Sequence, residues 1–198
     1  HTIAATDISG NNSIFSVSHN IALGSVGNSG LASKALTILY GGARTIILSG
    51  AAGSGGSSIG ANNYSALGSV DFNNNIGILK LNAAGVNYIS NFKSTGGDTG
   101  TIRIEQNSTL SGVFNGTAGT RVASLNLAGD RSLVLNTDLN LSANISLESN
   151  TTFTINPGFT INANKVEFVG GTASSMIFGH NTTLNAEVGI VNPGANIV

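Results

Sequence analysis

Cysteine is absent, so no disulfide staples this chain and no thiol enters its chemistry. Tryptophan is absent too, and aromatic residues reach only 6 %, so burial falls to Val, Ile, Leu and Ala and the core is expected to be thin and aliphatic. Charged residues make up 9 %, against roughly 25 % in an average soluble domain. The surface is therefore left to Ser, Thr, Asn and Gly. Eight Lys and Arg are scattered singly at a net charge of −1, so no basic stripe forms for phosphates and nucleic acid is not an expected partner. No apolar run approaches the roughly 20 residues that span a bilayer, and no charged-then-apolar leader opens the chain. Starting at His1 and stopping at Val198 in mid-pattern, the sequence reads as a fragment cut from a longer protein.

What is present is a repeat. Apolar-x-apolar triplets recur through the second half: Leu125-Asn126-Leu127, Leu133-Val134-Leu135, Leu139-Asn140-Leu141, Ile145-Ser146-Leu147, Phe153-Thr154-Ile155, Phe159-Thr160-Ile161 and Val166-Glu167-Phe168. Each has the period of a short strand with one buried face. Their starts lie 8, 6, 6, 8, 6 and 7 residues apart, so every three steps add to 20 or 21. Leu125 thus returns at Ile145 and Val166, Leu133 at Phe153, and Leu139 at Phe159, as though the chain passed three faces on each circuit. One coil cannot bury its own apolar face, whereas stacked coils build an inner column and satisfy the backbone between rungs. The expected fold is all-β: a right-handed parallel β-helix, or solenoid, of roughly 20–24 residues per coil. An antiparallel β-sandwich ranks second, because triplets six residues apart leave too little room for strands of about 5–6 residues plus turns. The turns Asn136-Thr137-Asp138, Ser142-Ala143-Asn144 and Asn156-Pro157-Gly158 carry residues that tolerate left-handed or Asx-turn geometry. Asn136 and Asn156, 20 apart, are expected to stack as a ladder.

The first half shows the same strand chemistry with longer insertions, as in Ile46-Ile47-Leu48, Leu79-Lys80-Leu81 and Ile102-Arg103-Ile104. Residues 1–30 are read as an N-terminal cap or irregular first coils, and 31–198 as the β-helix segment, with flexible loops near 50–60 and 94–100. No segment has a convincing helical period, so little helix is expected.

Chemistry is sparse. Polysaccharide cleavage needs paired carboxylates on neighbouring rungs, and the best spacing is Glu148 with Glu167, 19 apart; solvated strand edges are the favoured reading. His1, His19 and His180 have no metal-ligand spacing. Gly53-Ser54-Gly55 sits in the low-complexity insertion rather than on a strand-to-helix elbow, and no phosphate loop is present. Asn-x-Ser/Thr triplets at Asn115, Asn150 and elsewhere follow from composition. The one outward constellation is Lys80, Arg103 and Glu105: the apolar neighbours point inward, and 80 and 103 lie 23 apart, about one coil. These three are the weak binding candidates, with Glu105 offsetting two cations as the bland alternative. No catalytic residue, metal site, cofactor or small-molecule substrate is expected.

Leu67-Gly68-Ser69-Val70-Asp71-Phe72-Asn73, Ile76-Gly77-Ile78-Leu79-Lys80-Leu81-Asn82 and Ala123-Ser124-Leu125-Asn126-Leu127-Ala128-Gly129 together resemble the passenger regions of rickettsial surface cell antigens of the outer membrane protein B type. The resemblance spans roughly residues 30 to 198 and is one of style more than of a unique motif. It implies a secreted autotransporter passenger displayed on the bacterial outer membrane surface by a C-terminal barrel absent here. Such a passenger would serve as a structural and adhesive module contacting a host cell-surface protein. A carbohydrate-binding or polysaccharide-degrading β-helix is the alternative, and a purely mechanical spacer a third reading.

Overall fold

Alternation of outward and buried residues runs along strand after strand, as in Thr45–Leu48, Asn144–Leu147 and Thr152–Ile155. That pattern buries one face of each strand and leaves the other wet. The computed structural model describes residues 1–3, 6–8, 13–23, 26–28, 36–49, 67–88, 90–170 and 173–191; the insertion at 50–60 lies outside them. Among the described residues there is no helix, and every strand pairing is parallel. Sheets of ten, five, four and two strands result. The chain is a parallel β-solenoid, and the sandwich alternative fails because strands pair in parallel with strands one coil away rather than antiparallel with their neighbours in sequence.

One circuit runs from Asn91–Lys93 through Thr99–Ile104 to Ser108–Leu110, one strand in each of the three larger sheets. The ten-stranded sheet is the principal face. Its inner column passes through Ile3, Leu23, Leu48, Leu81, Ile104, Leu127, Leu147, Phe168 and Ile190. Successive members are 20, 25, 33, 23, 23, 20, 21 and 22 residues apart, so six of the eight steps fall within the expected 20–24, the step to Leu48 exceeds it by one and the insertion after Leu48 stretches the next to 33. A second column carries Leu125, Ile145 and Val166 in register, all buried, and Leu133 pairs with Phe153 on the next face. Each such side chain contributes about 1.5–3 kcal/mol by leaving water. Among the described residues of the first segment, 1–30, Thr2–Ile3 pairs in parallel with Ile21–Leu23, Ser13–Val17 with Leu36–Tyr40, and Ile21–Leu23 with Thr45–Leu48.

One column differs from expectation. Leu139 stacks on Ile161, not Phe159, because the corner between Ile155 and Ile161 holds five residues where that between Leu135 and Leu139 holds three. Gly158, at φ 86°, turns that longer corner and leaves Phe159 only partly buried. Of the three turns expected to tolerate left-handed or Asx-turn geometry, only this one has a positive φ; among the described residues Asn73, Asn74, Asp130, Asn150 and Asn181 also have positive φ, with Asp130 and Asn150 at 59° and 57°. Asn150 Nδ2 donates to Asp130 Oδ1 at 2.9 Å. The Asn136–Asn156 ladder forms, with Asn156 Nδ2 donating to Asn136 Oδ1 at 3.2 Å.

The expected loop at 94–100 is a bonded corner, with strand beginning at Thr99. The buried Asp71 carboxylate accepts the N–H groups of Asn73 and Thr95, each at 2.8 Å, and the Thr95 hydroxyl at 2.6 Å. Burial pushes Asp71 toward a higher pKa, but these bonds and Lys93 outweigh it and hold the group below the ordinary value. Beside it, Tyr40 and Phe72 stack with ring centres 4.7 Å apart. Both rings press on glycines one coil later, Tyr40 on Gly77 and Phe72 on Gly100, so closely that a β-carbon there would come within 2.4 Å of the first ring and 2.1 Å of the second.

Candidate functional site

Lys80 and Arg103 are register partners on adjacent strands of the principal face, with their inward neighbours Leu79, Leu81, Ile102 and Ile104 fully buried. Pleating therefore sends both cations outward, one strand spacing of about 4.8 Å apart at the backbone. Like charges at that spacing repel unless an anion intervenes. Glu105 intervenes: its Oε1 lies 3.1 Å from Lys80 Nζ and 2.9 Å from Arg103 Nε. The three candidates are thus brought together by the solenoid.

A fourth member escaped the sequence reading. Arg103 reaches past the intervening strand Val122–Leu127 to place Nη1 2.5 Å from Glu148 Oε1, while Glu148 Oε2 accepts the Gly129 N–H at 3.0 Å. The signal was available, since Glu105 follows Ile104 as Glu148 follows Leu147, and Ile104 and Leu147 belong to one column. Two cations now face two carboxylates. Partial burial pushes Glu105 up, but Lys80 and Arg103 overcome it and lower its pKa. Glu148 is lowered by the Arg103 hydrogen bond first and the Gly129 N–H second; Arg103 is raised, chiefly by Glu148. All four side chains are between a quarter and just over a third exposed, so each pair is worth about 0–1 kcal/mol after solvent screening. The arrangement is a neutral brace across coils, with no spare charge to recruit an ionic ligand.

The Glu148–Glu167 pair does not act as one unit. Glu148 is engaged with Arg103, and Glu167 Oε1 lies 3.1 Å from Lys165 Nζ. Asp98 is likewise committed, accepting Arg121 Nη2 at 2.7 Å and the Arg121 N–H at 2.8 Å. Among the described residues no group of three or more His, Asp or Glu is placed to hold a metal. His19 contacts the Ser18 hydroxyl at 2.9 Å and the His1 ring edge-on at 6.1 Å.

No family model, curated protein or solved structure matches this chain. Fold and chemistry therefore rest on its own residues. On that ground the outward row of the principal face reads Thr2, Ala22, Ile47, Lys80, Arg103, Asn126, Ser146, Glu167 and Gly189 in register, polar from Lys80 onward to Glu167 and with its charges drawn into pairs.

Proposed function

We propose that this chain is a passenger segment of a secreted bacterial surface protein, a structural and adhesive module that attaches to host cells. The observation that carries the reading is the self-neutralised outward face over an unbroken inner column: an extended polar surface on a regular support. Carboxylates spent on cations in separate braces favour adhesion over glycoside cleavage, which needs one acid protonated beside one ionised base or nucleophile. Of the three segments resembling rickettsial passengers, 76–82 contains the principal-face strand Ile78–Leu81, 123–129 overlaps Val122–Leu127 on the same face, and 67–73 contains Leu67–Asp71 of the four-stranded sheet, where a passenger's regular support would lie.

Attachment of fluorescent beads coated with the chain to cultured epithelial cells tests this, beside beads carrying a longer passenger and beads carrying albumin. Saturable attachment, competed by soluble chain, is expected. Attachment no greater than albumin refutes the reading. Release of reducing ends from a polysaccharide panel, abolished by Glu148→Gln, would replace it with the enzymatic alternative.

A further inference from the structure

On the third face the strand pairing is interrupted. The four-stranded sheet ends at Asn91–Lys93, beyond which Val113 makes one parallel bridge, to Asn91; on the following coil Leu139–Asn140, part of the ten-stranded sheet, pairs with 161–162. A groove of about 410 Å³ lies at this break. Its floor is apolar: Val113, 44 % exposed; Phe114, buried and stacked on Phe92 at 5.0 Å; and Phe159, partly buried where it packs against the core.

Polar groups with one end tied border this floor. Asp138 Oδ1 accepts the Thr160 N–H at 2.8 Å, and Asn140 Nδ2 donates to the Gly116 carbonyl at 2.7 Å. Asp138 Oδ2, Asn140 Oδ1 and the exposed Asn115 amide make no bond among the described residues. Asp138 and Asn140 are each held at one atom with capacity open at the other, and Asn115 adds an exposed amide. The lining holds one carboxylate and no cation, which disfavours anions.

We propose that this groove binds a neutral saccharide unit, which on the adhesive reading above would belong to a host glycan. A pyranose has an apolar C–H face for the Phe159 and Val113 floor, and paired hydroxyls that donate to a carboxylate while accepting from an amide. The volume lies within the range of small-ligand sites, about 300–1,000 Å³. Anchoring between coils means the polar groups need little reordering on binding, which lowers the entropic cost of association.

Titration of the isotope-labelled chain with methyl galactoside, methyl glucoside, N-acetylglucosamine and lactose, followed by side-chain and backbone amide NMR, tests the site. At least one is expected to give saturable millimolar shifts at Asn115 and Asn140. Phe159→Leu and Asp138→Asn should each weaken that binding about tenfold, equivalent to about 1.4 kcal/mol. Asn115→Ala, at an exposed residue, tests the same point without touching the core. Sialyllactose should bind more weakly than lactose, because its carboxylate meets Asp138. No saturable shift with any neutral sugar, or shifts unchanged in all three variants, would overturn the site. Cell attachment that persists without saccharide binding also overturns it while leaving the adhesive reading standing; saccharide binding without attachment does the reverse.

Discussion

Replacing Gly100 by alanine should be among the most damaging single-carbon changes in this chain. Gly100 sits at φ 87°, and a β-carbon there would lie 2.1, 2.3 and 2.5 Å from three carbons of the Phe72 ring. Ordinary carbon–carbon contact is about 3.5–4.0 Å, so something must move. Phe72 has nowhere to go: it is fully buried and stacked on Tyr40, itself pressed on Gly77. The left-handed backbone costs an L-residue about 1–2 kcal/mol and overpacking adds about 1–3 kcal/mol. The total of about 2–5 kcal/mol is a large part of the roughly 5–15 kcal/mol that holds a typical domain folded. Gly119, at φ 86° with nothing within 4 Å of its would-be β-carbon, isolates the backbone part, and Gly119→Ala should cost only about 1–2 kcal/mol. Urea unfolding of both variants gives the difference. Amide exchange places it, since a solenoid coil touches mainly its neighbours and Gly100→Ala should loosen Thr99–Ile104 first. In a double-mutant cycle, Phe72→Leu should recover part of the loss. If the two alanine variants differ by less than about 0.5 kcal/mol, or the cycle shows no coupling, the close-approach reasoning is wrong.

Asp71, Asp98, Glu105 and Glu148 are all held below their ordinary pKa values, Asp98 chiefly by the Arg121 guanidinium. The stability they contribute is present above their unfolded values, near pH 4, and is lost as pH falls through the lower folded values; Tm should drop steeply below pH 4, and Asp98→Asn should flatten the drop. Phe168→Ala, emptying a fully buried place in the principal column, should cost about 3–5 kcal/mol by urea unfolding. Asn156→Ala removes one ladder bond at an exposed corner and should cost no more than about 1 kcal/mol in the same assay. The last described coil exposes Phe178, Ile190 and Val191 at 46, 49 and 54 %, so sedimentation over a concentration series should show self-association, reduced by Ile190→Lys.

The columns were legible in the sequence because parallel stacking demands the same parity on every coil, and Leu125, Ile145 and Val166 keep a spacing of 20 or 21 that nothing else explains. Corners were less legible. Their length can change by two residues without altering which way side chains face, so Leu139 was expected to return at Phe159 whereas its register partner is Ile161. The seats of Tyr40 and Phe72 on glycines were out of reach for a related reason: Phe72 and Gly100 are 28 residues apart, on a coil whose length no local pattern announces. Lys80, Arg103 and Glu105 were found together because 23 residues is one coil, whereas Glu148 lies 45 residues beyond Arg103, across two coils of unequal length.

The interstrand hydrogen bonds of this fold lie along the stacking direction. A load applied between the two ends therefore meets them in series and peels coils off one by one, each at modest force, instead of shearing many bonds at once. Arg103 alters that sequence locally. Its bond to Glu148 skips the strand Val122–Leu127, so the skipped coil cannot lift away until the tie on its outer side lets go. Under tension the brace would act as a weak latch on that one coil, worth about 0–1 kcal/mol as a solvent-screened pair.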